Sequence, residues 1–353
     1  MLKLLSSCVL TCLISGPLSA FTLISNYGKV AHWKNNQVDF FFHDSVPAPY
    51  RDALRASFAA WTNVPGLGLS VTEVGSTSQA AVDGDDKNVI TWTTSGWRNL
   101  SFRPPAGALA VTVLSFNSSD GSLSDADIYF NDEYFDWGNL NGGEFLIDVE
   151  NIGTHEVGHL MGLDHSSEDP FEEDAELLDA TMYYAAAYGE IERRDLAASD
   201  ELGIRALYST ENRSTPRISS VLSLGGGFGA RKYRISGENF GDLTSFVITN
   251  DSSSVYDEVV RYRRILSSTE AEVTVELAGF SDGSARLVAV NGPNHRSDYR
   301  VSIQSSSLQA DSAGGGGCSL QPRPIQKFSW VTFYFCFLAT LSLMLARRRF
   351  RTS

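Results

Sequence analysis

The chain has 353 residues, 42% of them hydrophobic and 20% charged, which is ordinary for globular protein and long enough for two domains with appendages. A formal net charge of -14 excludes the sequence-independent phosphate binding that rests on clustered Lys and Arg, so no nucleic acid partner is expected. The four cysteines are Cys8, Cys12, Cys318 and Cys336, all near the ends, so the body is expected to fold without a disulfide.

Residues 1–20 read as a secretory leader. Lys3 supplies the positive start, residues 4–14 an apolar stretch, and Leu18, Ser19 and Ala20 a small-residue cleavage site, so Ala20 is the expected processing point. Too few residues lie between that point and the motif below for a long prodomain, and the body has no thiol to cap a metal. A strand rich in Val and Phe follows at 37–43. Residues 47–61 then carry apolar residues at helical intervals, with Leu54, Phe58 and Trp61 on one side. Further strands are expected at 68–74, 88–93, 107–116 and 126–130. Strands interleaved with a helix, and then a second helix, predict an α+β domain with a mixed sheet.

That second helix opens the string H-E-x-x-H-x-x-G-x-x-H, made of His155, Glu156, His159, Gly162 and His165. Positions i and i+4 share a helix face, so His155 and His159 can address one metal with Glu156 beside it. Gly162 lets the chain leave the helix and bring His165 round as a third ligand. Three neutral nitrogens leave the fourth zinc position for water, the arrangement of a catalytic site rather than a structural one. Glu156 is the expected general base.

The extended string resembles that of the metzincins. Ser166 after the third histidine, Met182 in the run Ala180 to Tyr184, and the segment Asp195 to Tyr208 resemble the matrixin group of metallopeptidases in its bacterial form. The resemblance covers about residues 30–210. It implies a zinc metalloendopeptidase with Met182 as a hydrophobic floor beneath the histidines. It also implies an edge strand on which Leu109 and Ala110 offer main-chain groups to an extended peptide. Tyr184 and Tyr188 are candidate walls of the substrate pocket. Where the family places a structural-zinc histidine this chain has Tyr129, so one zinc ion is expected. Asp125, Asp127, Asn131, Asp132 and Glu133 are hard oxygen donors and candidate calcium ligands, or else solvated loop acids. Seven acids and no Lys or Arg lie between His165 and Met182, either as a solvated loop or as a feature that attracts basic substrates or holds calcium.

Residues 216–305 change to short Val, Ile and Tyr-rich runs between Gly, Asn, Asp and Ser turns, which predicts an all-β sandwich. Residues 235–241 resemble the start of IPT/TIG immunoglobulin-like domains, whose simplest role is a rigid stalk. Residues 306–327 form a Ser/Gly-rich linker that contains a Gly-Gly-Cys motif ending at Cys318. Residues 328–346 are an apolar run of about spanning length. Basic residues fill the tail at 347–353 and place the body outside the cell. The order of small-residue motif, apolar helix and basic cluster resembles bacterial C-terminal sorting tags, with Cys318 as the processing site and a sorting protease as partner; a plain membrane anchor is the other reading. The expected function is therefore a secreted or surface-anchored zinc metalloendopeptidase acting on extracellular proteins, including extracellular matrix. The alternative is a surface adhesin on the same scaffold, against which the intact Glu156 counts.

Overall fold

The computed structural model describes residues 21–142, 144–227, 230–250, 260–276 and 283–303. The leader, linker, apolar run and basic tail expected from the sequence, with Ala20 and Cys318, lie outside these residues. Among the described residues no helix is long and apolar enough to cross a membrane.

Six strands build one mixed sheet: β1 (His32–Trp33), β2 (Gln37–His43), β3 (Ser70–Thr77), β4 (Asn88–Thr93), β5 (Ala110–Phe116) and β6 (Ser122–Asn131). β2 runs parallel to β3 and β4, β4 runs parallel to β6, and β1 runs parallel to the start of β6. β5 is the antiparallel member, with Ala110 opposite Phe130 and Phe116 opposite Leu123. It pairs with no other described strand and so presents an edge. Alternation along β2 buries Val38, Phe40 and Phe42 on one face, as period-two side-chain geometry requires.

Helix α1 (Arg51–Thr62) lies on that face, with Phe58 stacked on Phe40 at a ring separation of 4.1 Å. The helix expected over 47–61 starts later than its apolar spacing suggests. Pro47 is followed by a single tight turn at Ala48–Tyr50, and the α-helix proper begins at Arg51. The strands expected at 37–43 and 88–93 match; that expected at 126–130 is longer, because Ser122 to Asp125 also pair, with β1 and β5.

Helix α2 (Val149–Leu160) is buried along nearly its whole length. Its first turn is capped by Asp148, whose carboxylate accepts the Asn151 amide at 2.8 Å and pairs with Arg194 at 2.6 Å. Trp61 of α1 donates its indole N–H to the Thr154 carbonyl at 2.8 Å. The far end would leave carbonyls without partners, and two aromatic side chains supply them. Trp33 donates to the Leu160 carbonyl at 2.9 Å, and the Tyr208 hydroxyl donates to that of Met161 at 2.7 Å. Gly162 then turns the chain with a φ of +101°. A Cβ there would sit 2.4 Å from the Ala31 carbonyl oxygen, so both conformation and space demand glycine. The remaining helices are the single turn α3 (Ala175–Leu178) and α4 (Ala198–Tyr208), which delivers Tyr208.

Two antiparallel sheets follow. β7 (Arg217–Gly227), β8 (Ala230–Glu238), β10 (Val260–Ser267) and β11 (Glu270–Glu276) form one, in the order β7-β8-β11-β10. β9 (Ser245–Asn250), β12 (Gly283–Val290) and β13 (Arg296–Ile303) form the other, in the order β9-β12-β13. Ile218, Ile235, Phe246, Val273 and Leu287 meet in a core drawn from both. This unit does not stand off as a stalk. Leu243, Val247, Val288 and Val290 belong to the same buried cluster as the residues around α2, and Arg296 donates to the Gly28 carbonyl at 3.2 Å.

Tyr208→Phe removes the hydroxyl that satisfies the Met161 carbonyl and receives the Trp33 amide, while keeping the ring. A buried acceptor left unsatisfied costs about 1–3 kcal/mol. Thermal unfolding should show a melting temperature lower by roughly 2–12 °C, taking roughly 2–4 °C per kcal/mol for a large domain.

Candidate metal centre

His155 and His159 lie on consecutive turns of α2, and His165 returns beside them after the turn at Gly162. Their nitrogens lie within 4.8 Å of one another, and all three side chains are buried. Each Nδ1 faces an acceptor: His155 the Thr181 carbonyl at 2.7 Å, His159 the Leu163 carbonyl at 2.9 Å, and His165 the Glu168 carboxylate at 3.0 Å. The donated protons fix the tautomer and leave Nε2 as the lone-pair atom on each ring. The Nε2 atoms of His155 and His159 are 3.0 Å apart. Two lone pairs cannot hydrogen-bond each other, so that juxtaposition fits a shared cation, and nitrogen donors of this kind suit zinc. Burial and the other imidazoles hold His155 and His159 well below the usual histidine range, which keeps them neutral and competent as ligands.

Glu156 is likewise buried, and burial pushes its carboxyl up to about 7, against the hydrogen bond from Thr112. That bond, 2.6 Å from the Thr112 hydroxyl to Oε2, comes from β5 and fixes the direction of the carboxylate. Met182 packs directly under the helix: a Cβ at Gly158 would lie 2.3 Å from its sulfur. The turn that carries it is pinned by Asp200 of α4, whose carboxylate accepts the amides of Thr181, Met182 and Ala197 at 2.7, 3.2 and 3.0 Å. The Met182 carbonyl in turn accepts the Ser166 amide at 2.9 Å.

Tyr184 is buried with its ring 6.3 Å from that of His165, so it borders the site. Tyr188 is half-buried and stacks on the exposed Phe145 at 4.5 Å. Leu109 and Ala110 stand at the start of β5; the Leu109 carbonyl accepts the Asn131 amide, and Ala110 pairs with Phe130. Tyr129 is packed in an apolar cluster with Trp97, Phe102 and Val111.

The five candidate calcium ligands are spread along β6 and beyond it. From Asp125 to Asn131 the strand rises by roughly 20 Å, too far for one ion. Asp125 and Asp127 share a face and accept the amides of Gly84, Lys87 and Val89. Asp127 Oδ2 is buried without a hydrogen-bond partner, which suits a cation. Asn131 accepts the Tyr134 amide, Glu133 accepts that of Trp97, and Asp132 is half-buried.

Thr112, Glu168, Thr181 and Asp200 were not singled out from the sequence. Thr112 left a faint signal as a polar residue between Val111 and Val113, and Glu168 as the first acid after His165.

Three converging imidazoles, with the buried Glu156 carboxylate next to His155 on the same helix, form a group that could hold one metal ion. The Matrixin family matches residues 32–209, half of the chain, and the chain belongs to that family, whose members use zinc and calcium. Among curated relatives, "Metalloendoproteinase 2-MMP" of Arabidopsis thaliana is 24% identical over 62% of this chain and 54% of its own length. "Metalloendoproteinase 1-MMP" of the same plant is 26% identical over 50% of this chain and 41% of its own. The chain thus spans about half the length of the curated relatives it matches. A solved beta-glucosidase from Listeria innocua aligns at 8% identity over 80% of this chain and 48% of its own, with a TM-score of 0.21, too low to bear on the fold.

Burial raises Asp125 to about 6; burial and the neighbouring Asp125 raise Asp127 to about 8. Raised carboxyl values mean that the native state keeps protons the unfolded chain has released above about pH 4, so stability falls as pH rises from there to about 8. In calcium-free buffer the melting temperature should fall by several degrees between pH 5 and pH 8.5. Asp127→Asn, which retains the acceptor for the Val89 amide, should flatten that fall in differential scanning calorimetry.

Proposed function

We propose that the chain is an exported zinc metalloendopeptidase that hydrolyses peptide bonds of extracellular proteins. The observation that carries this reading is the pair formed by the three converging imidazoles and the Thr112-oriented carboxylate of Glu156. A zinc ion bound by His155, His159 and His165 would supply Lewis acidity to the scissile carbonyl and acidify its bound water. Glu156 takes the proton from the attacking water and returns it to the leaving amine, and a carboxyl held near neutrality is suited to both steps. The Thr112 hydroxyl holds Oε2 in a fixed orientation.

The unpaired edge of β5 supports an extended peptide as substrate, bound by strand addition with Leu109 and Ala110 next to the metal. Tyr184, beside His165, forms part of the wall that meets the substrate side chain, with Tyr188 further out on the Phe145 stack. Both relatives carry the name metalloendoproteinase, which agrees with this assignment. One catalytic zinc is our reading, with calcium at Asp125 and Asp127, where one buried carboxylate oxygen has no partner.

The domain plan we propose is a leader at 1–20, a peptidase domain at 21–210, an IPT/TIG-like unit at 216–305, a linker at 306–327, a membrane helix at 328–346 and a basic tail at 347–353. The apolar run followed by four arginines supports delivery to the cell surface, either by a retained anchor or through a sorting protease acting near Cys318.

Glu156→Gln should retain one equivalent of zinc by elemental analysis and lose at least 1000-fold in peptide turnover, the scale on which metal-site bases and oriented groups act (about 10²–10⁴). His159→Ala should lose the metal as well. Incubating the full chain with an unbiased peptide library, with and without chelator, checks the reaction itself. Chelator-sensitive cleavage is the expected result; peptide binding without cleavage would point to an adhesin on the same scaffold.

A further inference from the structure

The segment between His165 and Met182 carries seven carboxylates and no basic residue, and it sits against the zinc ligands. Its N-terminal end is committed to the site: Glu168 meets His165, and the Ser167 carbonyl accepts the Tyr184 amide at 3.4 Å. Its middle is organised by Glu172. One oxygen of that carboxylate accepts the Ser167 hydroxyl at 2.7 Å, and the other accepts the amides of Glu173 and Asp174 at 3.0 and 3.1 Å. The next contact comes from the second unit, 90 residues away: the Tyr262 hydroxyl of β10 donates to Glu172 Oε1 at 2.9 Å.

Arg263, the next residue on β10, is also buried at this seam. Its guanidinium donates to the carbonyls of Thr244 and Asp242 and lies 3.9 Å over the Phe21 ring. Glu176 of α3 and Asp242 are its stabilising charge partners. A cation of the second unit therefore faces an insertion that has none of its own, and a hydroxyl of the same strand holds the carboxylate around which that insertion folds.

We propose that the second unit is a structural part of the active site, with Tyr262 as a positioning residue that acts through Glu172 and Ser167 on the loop carrying Glu168 and flanking Tyr184. A path of three hydrogen bonds joins β10 to the cleft: Tyr262 to Glu172, Glu172 to Ser167, and Ser167 to the amide of Tyr184. Loss of the first link loosens the middle of the insertion without touching His155, His159 or His165. The inference rests on the reading of the three histidines as a zinc site, but the order of the insertion can be measured without zinc.

Tyr262→Phe deletes one hydroxyl and retains the ring. A hydrogen bond to a charged group is worth about a tenfold change or more in a local opening equilibrium. Hydrogen–deuterium exchange on the full chain, metal-free and zinc-loaded, should show amides of residues 166–179 exchanging about tenfold faster in Tyr262→Phe, with the β2–β6 sheet unchanged. Zinc-loaded Tyr262→Phe should also release zinc faster to a chromophoric chelator and show a raised KM with a smaller change in kcat. In a Glu172→Ala background Tyr262→Phe should have a much smaller effect on exchange, because this link is already cut. Unchanged exchange in the insertion, or effects of the two substitutions that simply add, would overturn the proposal. Faster exchange in the metal-free protein combined with no peptide cleavage would uphold it and instead remove the peptidase assignment.

Discussion

The geometry of the site depends on what receives the three Nδ1 protons. A histidine on a helix has freedom about two side-chain torsions, and only a committed acceptor converts a helical spacing into a metal-binding direction. The acceptors here come from three successive pieces of chain that follow α2. Leu163 is presented by the turn at Gly162, Glu168 by the acidic insertion, and Thr181 by the turn that Asp200 holds. Any displacement of those pieces would rotate a ligand ring, so the segment from 162 to 200 is coupled to the metal centre by hydrogen bonds as well as by packing.

Burial makes that coupling strong. α2 lies inside the domain with its polar ends satisfied by Asp148, Trp33 and Tyr208, and burial holds His155 and His159 neutral while it pushes the Glu156 carboxyl up to about 7. A low-dielectric surrounding disfavours charge on these groups, and a divalent cation bound there would reverse the balance by stabilising the ionised carboxylate and occupying the facing lone pairs. The same environment that raises the Glu156 carboxyl would thus also favour a bound cation.

The parts legible in the sequence were those whose cause is local. Period-two burial along 37–43, the spacing of Leu54, Phe58 and Trp61, and the positive φ of Gly162 follow from neighbours in the chain. The histidine pair follows from helix geometry. Thr112 and Asp200 were not legible, because each acquires its role from a partner 44 or 18–19 residues away, and a threonine in a strand or an aspartate near a helix start has commoner explanations. The acidic run from Glu168 to Asp179 reads as a solvated loop when only its composition is visible. Folded, it is a cross-linked element whose carboxylates accept backbone amides and hydroxyls.

The second unit is where local reasoning had least to offer. Short strands between turns describe a sandwich and do not say which face it covers. Its apolar residues Leu243, Val247, Val288 and Val290 complete a core begun by the first domain, and a Cβ at Gly28 would come within 2.7 Å of Val288, so the two surfaces interlock at side-chain resolution. Apolar burial of that kind gives no direction by itself. Direction comes from the polar contacts set into it: Arg296 on the Gly28 carbonyl at one side, Tyr262 on Glu172 at the other. An insertion fastened to His165 at Glu168 and to a different folded unit at Glu172 cannot move independently of either. The contacts around the acidic insertion are therefore supplied jointly by residues before 210 and after 216.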